Sequence, residues 1–164
     1  MDNNNVRQLT NEEFYMVSSA SISPDGKSLA FVSSESRGDT IDIYSLEEPQ
    51  KPKRVLIPHV PGEPVTPIFN DPNFSPDGQK MFFLAASNGR SAFDYDVYSI
   101  DLKTNKIDKL TSDNGYSYGM QLSPDGKKAI FMRDVPHWYG SKQVALLLDL
   151  QTCGIKQLSI TGLE

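Results

Sequence analysis

SPDGKSLAF at residues 23–31, SPDGQKMFF at 75–83 and SPDGKKAIF at 123–131 are three copies of one pattern, spaced 52 and 48 residues apart. The proline presets φ near about −65° at the second position of a reverse turn, and aspartate tolerates the third. Glycine then takes the left-handed conformation that ends a type I turn with a bulge. The apolar runs that follow the turn, KSLAFVSS, QKMFFLAA and KKAIFMRD, read as the second strand of a hairpin.

Working outward, each copy is followed by a third strand-like segment: IDIYSLE (41–47), YDVYSID (95–101) and VALLLDL (144–150). Each unit closes with a short fourth one, KRVLI from Lys53, DKLT from Asp108 and KQLS from Lys156. DLKTNKIDKL (101–110) and DLQTCGIKQL (149–158) keep the offset of 48 without a gap. The units span about 14–57, 68–111 and 118–160. VRQLT near 6–10 is an extra outer strand, since Leu9 falls where Leu56, Leu110 and Leu158 fall. Residues 10–17 have room for one helical turn, capped by Thr10 or Asn11, and 3.6-residue periodicity is absent elsewhere. A four-stranded meander repeated every ~40–50 residues is the signature of a β-propeller. The expected fold is all-β: three four-stranded antiparallel blades, forming a partial ring or one completed by an oligomer.

The three SPDG segments resemble the repeat of the TolB-like propellers, a WD40-like (PD40) family, over roughly residues 7–160. The resemblance implies a non-enzymatic, protein-binding module without cofactors. It also implies a periplasmic location, if likeness extends to location, with partners of the Tol–Pal kind. The same repeat occurs in propellers attached to prolyl-oligopeptidase-type serine peptidases, and QLTNEEFYMVSSASISPDGKSLAFVSS (8–34) is similar to their opening. The alternative is therefore the N-terminal half of a gating propeller whose catalytic domain lies outside these residues.

Composition narrows the classes. The 164 residues carry a net charge of −5 with the two signs interspersed, which argues against a surface that tracks nucleic-acid phosphates. The longest apolar runs, 81–86 and 144–148, fall far short of the ~20 residues a membrane helix needs. MDNNNVRQLT has no signal-peptide pattern, so the chain is either cytoplasmic or shown after removal of a leader. A single cysteine, Cys153, makes neither an internal disulfide nor a metal cluster. Three blades are fewer than the roughly four to eight of closed propellers. Two expectations follow: the first half of a longer propeller, or a homodimer that completes a six-bladed ring head to tail.

In a meander, alternate connections share an edge. The SPDG turns and the third-to-fourth-strand turns are short and polar. The loops of the opposite edge hold nine of the sixteen aromatic residues: Phe14, Tyr15, Phe69, Phe93, Tyr95, Tyr116, Tyr118, Trp138 and Tyr139. Loop aromatics supply large contact area at low entropic cost. The candidate partner-binding residues are Phe93, Tyr116, Tyr118, His137, Trp138 and Tyr139, for a protein or peptide partner; the competing reading is that these rings pack between blades.

GYSYG (115–119) matches the G-x-S-x-G nucleophile elbow, but an elbow joins a strand to a helix and needs a histidine and a carboxylate. Here strand patterns flank it, and His137 is the one histidine that follows. The expectation is a loop serine and no enzyme. RGD (37–39) reads as a solvated turn. DYD (94–96) reads as a strand-entry pair rather than a Ca²⁺ site, and His59 and His137 lack the spacing of zinc ligands.

Overall fold

The computed structural model describes residues 16–35, 38–48, 53–55, 68–86, 94–112, 115–137 and 140–158. Among them there is no helix, and twelve strands form three four-stranded antiparallel sheets, each made of consecutive strands. Blade 1 comprises β1 (Met16–Ile22), β2 (Ser28–Glu35), β3 (Gly38–Ser45) and β4 (Lys53–Val55). Blade 2 comprises β5 (Ile68–Phe74), β6 (Lys80–Ala86), β7 (Tyr95–Asp101) and β8 (Ile107–Lys109). Blade 3 comprises β9 (Ser117–Leu122), β10 (Lys128–His137), β11 (Gly140–Asp149) and β12 (Ile155–Leu158). Met16 and Val17 open β1 instead of closing a helical turn; the proposed strand at 6–10 lies outside the described residues.

The SPDG turns form as the residue chemistry requires. In each, the serine carbonyl accepts from the glycine N–H at 2.8 Å, and Gly26, Gly78 and Gly126 sit at φ between 67° and 69°. The aspartate accepts from the serine hydroxyl at 2.6 Å and from the N–H two residues on at 3.0 Å. These bonds hold the Asp25, Asp77 and Asp125 carboxyls below their usual pKa, so the turns keep their anionic acceptor at neutral pH.

Two apolar layers join the blades. Ala30, Val32 and Ile41 of blade 1 pack on Met81, Phe83, Ala85, Tyr98 and Ile100 of blade 2. Phe82, Leu84, Ala86 and Val97, on the other side of blade 2, pack on Met120, Ala129, Phe131, Val144, Leu146 and Leu148 of blade 3. Period-two alternation thus places β6 residues in both layers, which is why KMFFLAA is buried at every position after Lys80. Burial of each of the larger chains contributes roughly 1.5–3 kcal/mol.

The first strands β1, β5 and β9 carry a feature the sequence reading missed. Ser19, Asp71 and Gly119 all have positive φ (45°, 48° and 67°), each four residues before an SPDG serine. The register shifts at each of these places. These bulges stitch the blades together: the Ser19 hydroxyl donates to Asn70 Oδ1 at 2.7 Å, and the Met120 N–H donates to Asp71 Oδ2 at 3.0 Å. Asn73 Nδ2 reaches the Met120 carbonyl at 3.0 Å. The available signal was three turn-forming residues at one repeat offset.

Candidate functional site

The loop edge between blades 2 and 3 is built on tyrosines. Tyr95 opens β7, and its backbone bridges to Gly115, whose carbonyl accepts the Tyr95 N–H at 3.0 Å. That bond sets the segment before β9 alongside blade 2. The Tyr95 ring meets Tyr116 edge-on at 6.1 Å between centroids, and Tyr116 meets Tyr118 at 5.6 Å. The ladder runs from buried Tyr95 to Tyr116, which is 41% exposed. Asp134 closes it on the β10 side, donating its N–H to the Tyr116 carbonyl at 3.0 Å and accepting from the Tyr118 hydroxyl at 3.5 Å.

Both end phenols are harder to ionise than usual. Burial raises Tyr95, helped by Tyr116 and by the carboxylates of Asp39 and Asp71. For Tyr118 burial leads again, followed by the Asp134 carboxylate. The phenols therefore stay neutral, the Tyr118 hydroxyl donates to Asp134, and the ring faces offer rigid apolar area.

GYSYG has structural work at nearly every residue. Ser117 is fully buried; it donates to the Gly115 carbonyl at 3.2 Å and accepts from Arg133 Nε at 2.9 Å. A Cβ at Gly115 would stand 2.9 Å from Arg133 Cδ, so the glycine makes room for that guanidinium, which lies 5.4 Å from the Phe131 ring. Gly119 is the bulge residue inside β9, which runs from Ser117 to Leu122 where an elbow would start a helix. A loop serine was the sequence expectation; the structure has a buried strand serine.

Of the residues proposed from sequence, Tyr116 and Tyr118 come together, and Tyr95 joins them as their buried base. His137 ends β10, paired in register with Gly140. Phe93, Trp138 and Tyr139 lie outside the described residues, as do His59 and Arg37. Asp96 of DYD is buried and ion-paired with Lys109 at 2.7 Å. Among the described residues no group of three or more His, Cys, Asp or Glu could hold a metal ion.

The description of the TolB beta propeller domain (PD40) matches residues 1–163. The chain belongs to the TolB β-propeller domain family. Among solved structures, TolB from Acinetobacter baumannii is similar at 27% identity and TM-score 0.68, covering 90% of this chain and 33% of that one. A protein assigned as TolB from Agrobacterium tumefaciens is 16% identical with TM-score 0.71, covering 92% of this chain and 51% of the other. The acylaminoacyl peptidase of Pyrococcus horikoshii, 19% identical with TM-score 0.56, shares the fold over 80% of this chain and 23% of its own. The chain thus spans about a third to a half of the TolB proteins it matches, and the TolB fold also serves in peptidase propellers.

Proposed function

We propose that this TolB-family propeller is a non-enzymatic module that binds a protein or peptide partner through its aromatic loop face, in the periplasm. The observation that carries this reading is the ladder Tyr95–Tyr116–Tyr118. Tyr116 is the one large aromatic exposed among the described residues, and it is braced from beneath by a buried ring and from the side by Asp134. A rigid aromatic that is already positioned loses little entropy on binding, the usual property of an interface anchor. Phe93, His137, Trp138 and Tyr139 belong to the same loop edge by their place in the repeat and extend the proposed surface.

The test is selection of peptides from a displayed random library against the wild-type chain, followed by titration of one selected peptide into variants. Tyr116→Ala and Trp138→Ala should each raise Kd about tenfold or more, with unchanged thermal unfolding. Unchanged affinity in both variants would remove this face from the reading.

A further inference from the structure

The edge that carries the SPDG turns holds a groove at the joint of blades 1 and 2. The first two turns stand side by side there, so that a Cβ on Gly78 would lie 4.0 Å from Pro24 Cδ. The groove between them has a volume of 490 Å³. Its floor includes Ile43, Phe74 and Leu102, the half-buried fringe of the apolar layer that joins these blades. Its rim carries Asp25 and Asp77, both exposed. Each uses Oδ1 for both of its turn bonds, which leaves Oδ2 available at an exposed carboxylate.

The joint of blades 2 and 3 shows which chemistry this place takes. The same edge forms a smaller groove there, of 300 Å³, with Asp77, Asp125 and Leu150 where the first has Asp25, Asp77 and Leu102. A basic side chain, Lys80, lines it, and its charge acts on Asp77. The repeat equivalent of Lys80, fifty-two residues earlier, is Ser28, which lines the first groove. Serine is too short to cover the floor or to reach the rim, so the first groove keeps its apolar floor and acidic rim without the basic chain that belongs with them. The lysines nearby are engaged elsewhere. Lys53 donates its ammonium to the Leu102 carbonyl across the joint, and Lys27, beside Asp25, pairs with Glu47 at 3.5 Å.

We propose that the groove between blades 1 and 2 binds an arginine side chain of a partner peptide, its stem along Phe74 and Leu102 and its guanidinium at the Asp25–Asp77 rim. An apolar stem that ends in a charge complements an apolar floor beneath carboxylates. Arginine suits the place better than lysine, because its guanidinium is less strongly hydrated and bonds carboxylates through two N–H groups at once. The groove lies on the opposite edge of the blades from the tyrosine ladder, so the two surfaces stand or fall separately.

The test is an NMR titration of the isotope-labelled chain with acetyl-Leu-Arg-Leu-amide, and with acetyl-Leu-Gln-Leu-amide as the neutral control. The arginine peptide should shift the amides of Lys27, Gln79 and Leu102 saturably, with a Kd on the order of 1 mM, and the glutamine peptide should not. Asp25→Asn keeps the acceptor of the turn and should raise that Kd about threefold or more. Ser28→Lys gives the first groove the side chain of the second and should abolish the shifts, whereas Tyr116→Ala should leave them unchanged. If Asp25→Asn or Ser28→Lys unfolds the chain, Lys80→Ser takes its place: it opens the second groove and should add shifts at Lys127 and Leu150. No shift with the arginine peptide, or equal shifts with the glutamine peptide, would overturn the proposal. So would shifts that persist in full in Ser28→Lys, or shifts that Tyr116→Ala removes, which would put arginine recognition on the tyrosine edge.

Discussion

Blade 2 is buried on both faces and blade 3 on one, although their sequences run in step for fifty residues. β6 reads KMFFLAA and is buried at six consecutive positions. In β10, Ala129 and Phe131 are buried, Ile130 is exposed and Met132 lies between. The apolar run is similar in both, so hydrophobicity made both strands and neighbours decided how much of each is dry. A direct test compares equivalent truncations. Leu84→Ala should cost about 2–5 kcal/mol in urea unfolding, because it leaves a hole between two packed sheets. Met132→Ala, in the same place on the half-open blade, should cost under about 1 kcal/mol in the single chain. Similar losses would mean that blade 3 is as enclosed as blade 2.

The blades differ next in how the third and fourth strands are joined. In blade 1, Asp42 pairs with Arg54 at 3.1 Å and accepts the Ser33 hydroxyl at 2.7 Å. In blade 2, Asp96 pairs with Lys109 and accepts the Thr111 hydroxyl at 3.1 Å. Blade 3 has Val144 and Gln157 at these places, and Val144 packs in the apolar layer. Burial alone would lower the Lys109 pKa, but the hydrogen bond and charge of Asp96 outweigh it and raise the pKa above its ordinary 10.5. A raised lysine pKa means the pair contributes fully at neutral pH and is lost only as pH climbs through that higher value. Lys109→Gln should cost about 2–3 kcal/mol, below the usual cost of orphaning a buried carboxylate because Lys109 is one-third exposed. Adding Asp96→Val installs the blade-3 pair and should restore stability to within about 1 kcal/mol of wild type. If the double variant is no better than Lys109→Gln, the two blades are not interchangeable at this joint.

These differences mark where the sequence could be read and where it could not. The SPDG turns were legible because proline, aspartate and glycine each have one backbone reason to be there, and the strands followed from the spacing between turns. The ion pairs were not. Asp42 and Arg54 are twelve residues apart, Asp96 and Lys109 thirteen, and such charges look like solvated surface until register sets the first two opposite each other and the second two on a diagonal, Lys109 facing Tyr98. The bulges hid because serine, aspartate and glycine share a left-handed tolerance rather than an identity. At the candidate site, Tyr116 and Tyr118 were legible as loop aromatics. Tyr95 as their base depended on one hydrogen bond between blades, and Ser117 as an anchor for Arg133 on the register of β9 with β10, neither of which a local pattern encodes.

The smallest of the expected effects separates two requirements that coincide in one motif. Every SPDG glycine has a φ near 68°, where a side chain costs about 1–2 kcal/mol. Gly126 also lies beneath the proline of the preceding blade: a Cβ there would stand 2.6 Å from Pro76 Cδ and 2.9 Å from Cγ. At Gly26 no described atom lies within 4 Å. Gly26→Ala should therefore show the backbone cost alone, about 1 kcal/mol, and Gly126→Ala that cost plus about 1 kcal/mol for displacing the proline ring. Removing the ring with Pro76→Ala should abolish the excess at Gly126 and leave the cost of Gly26→Ala unchanged, which urea unfolding of the three single variants and of the Pro76→Ala/Gly126→Ala and Pro76→Ala/Gly26→Ala doubles would read. Equal losses at the two glycines would mean that the motif serves the hairpin only and that the blades are held by their apolar layers without help from the turns.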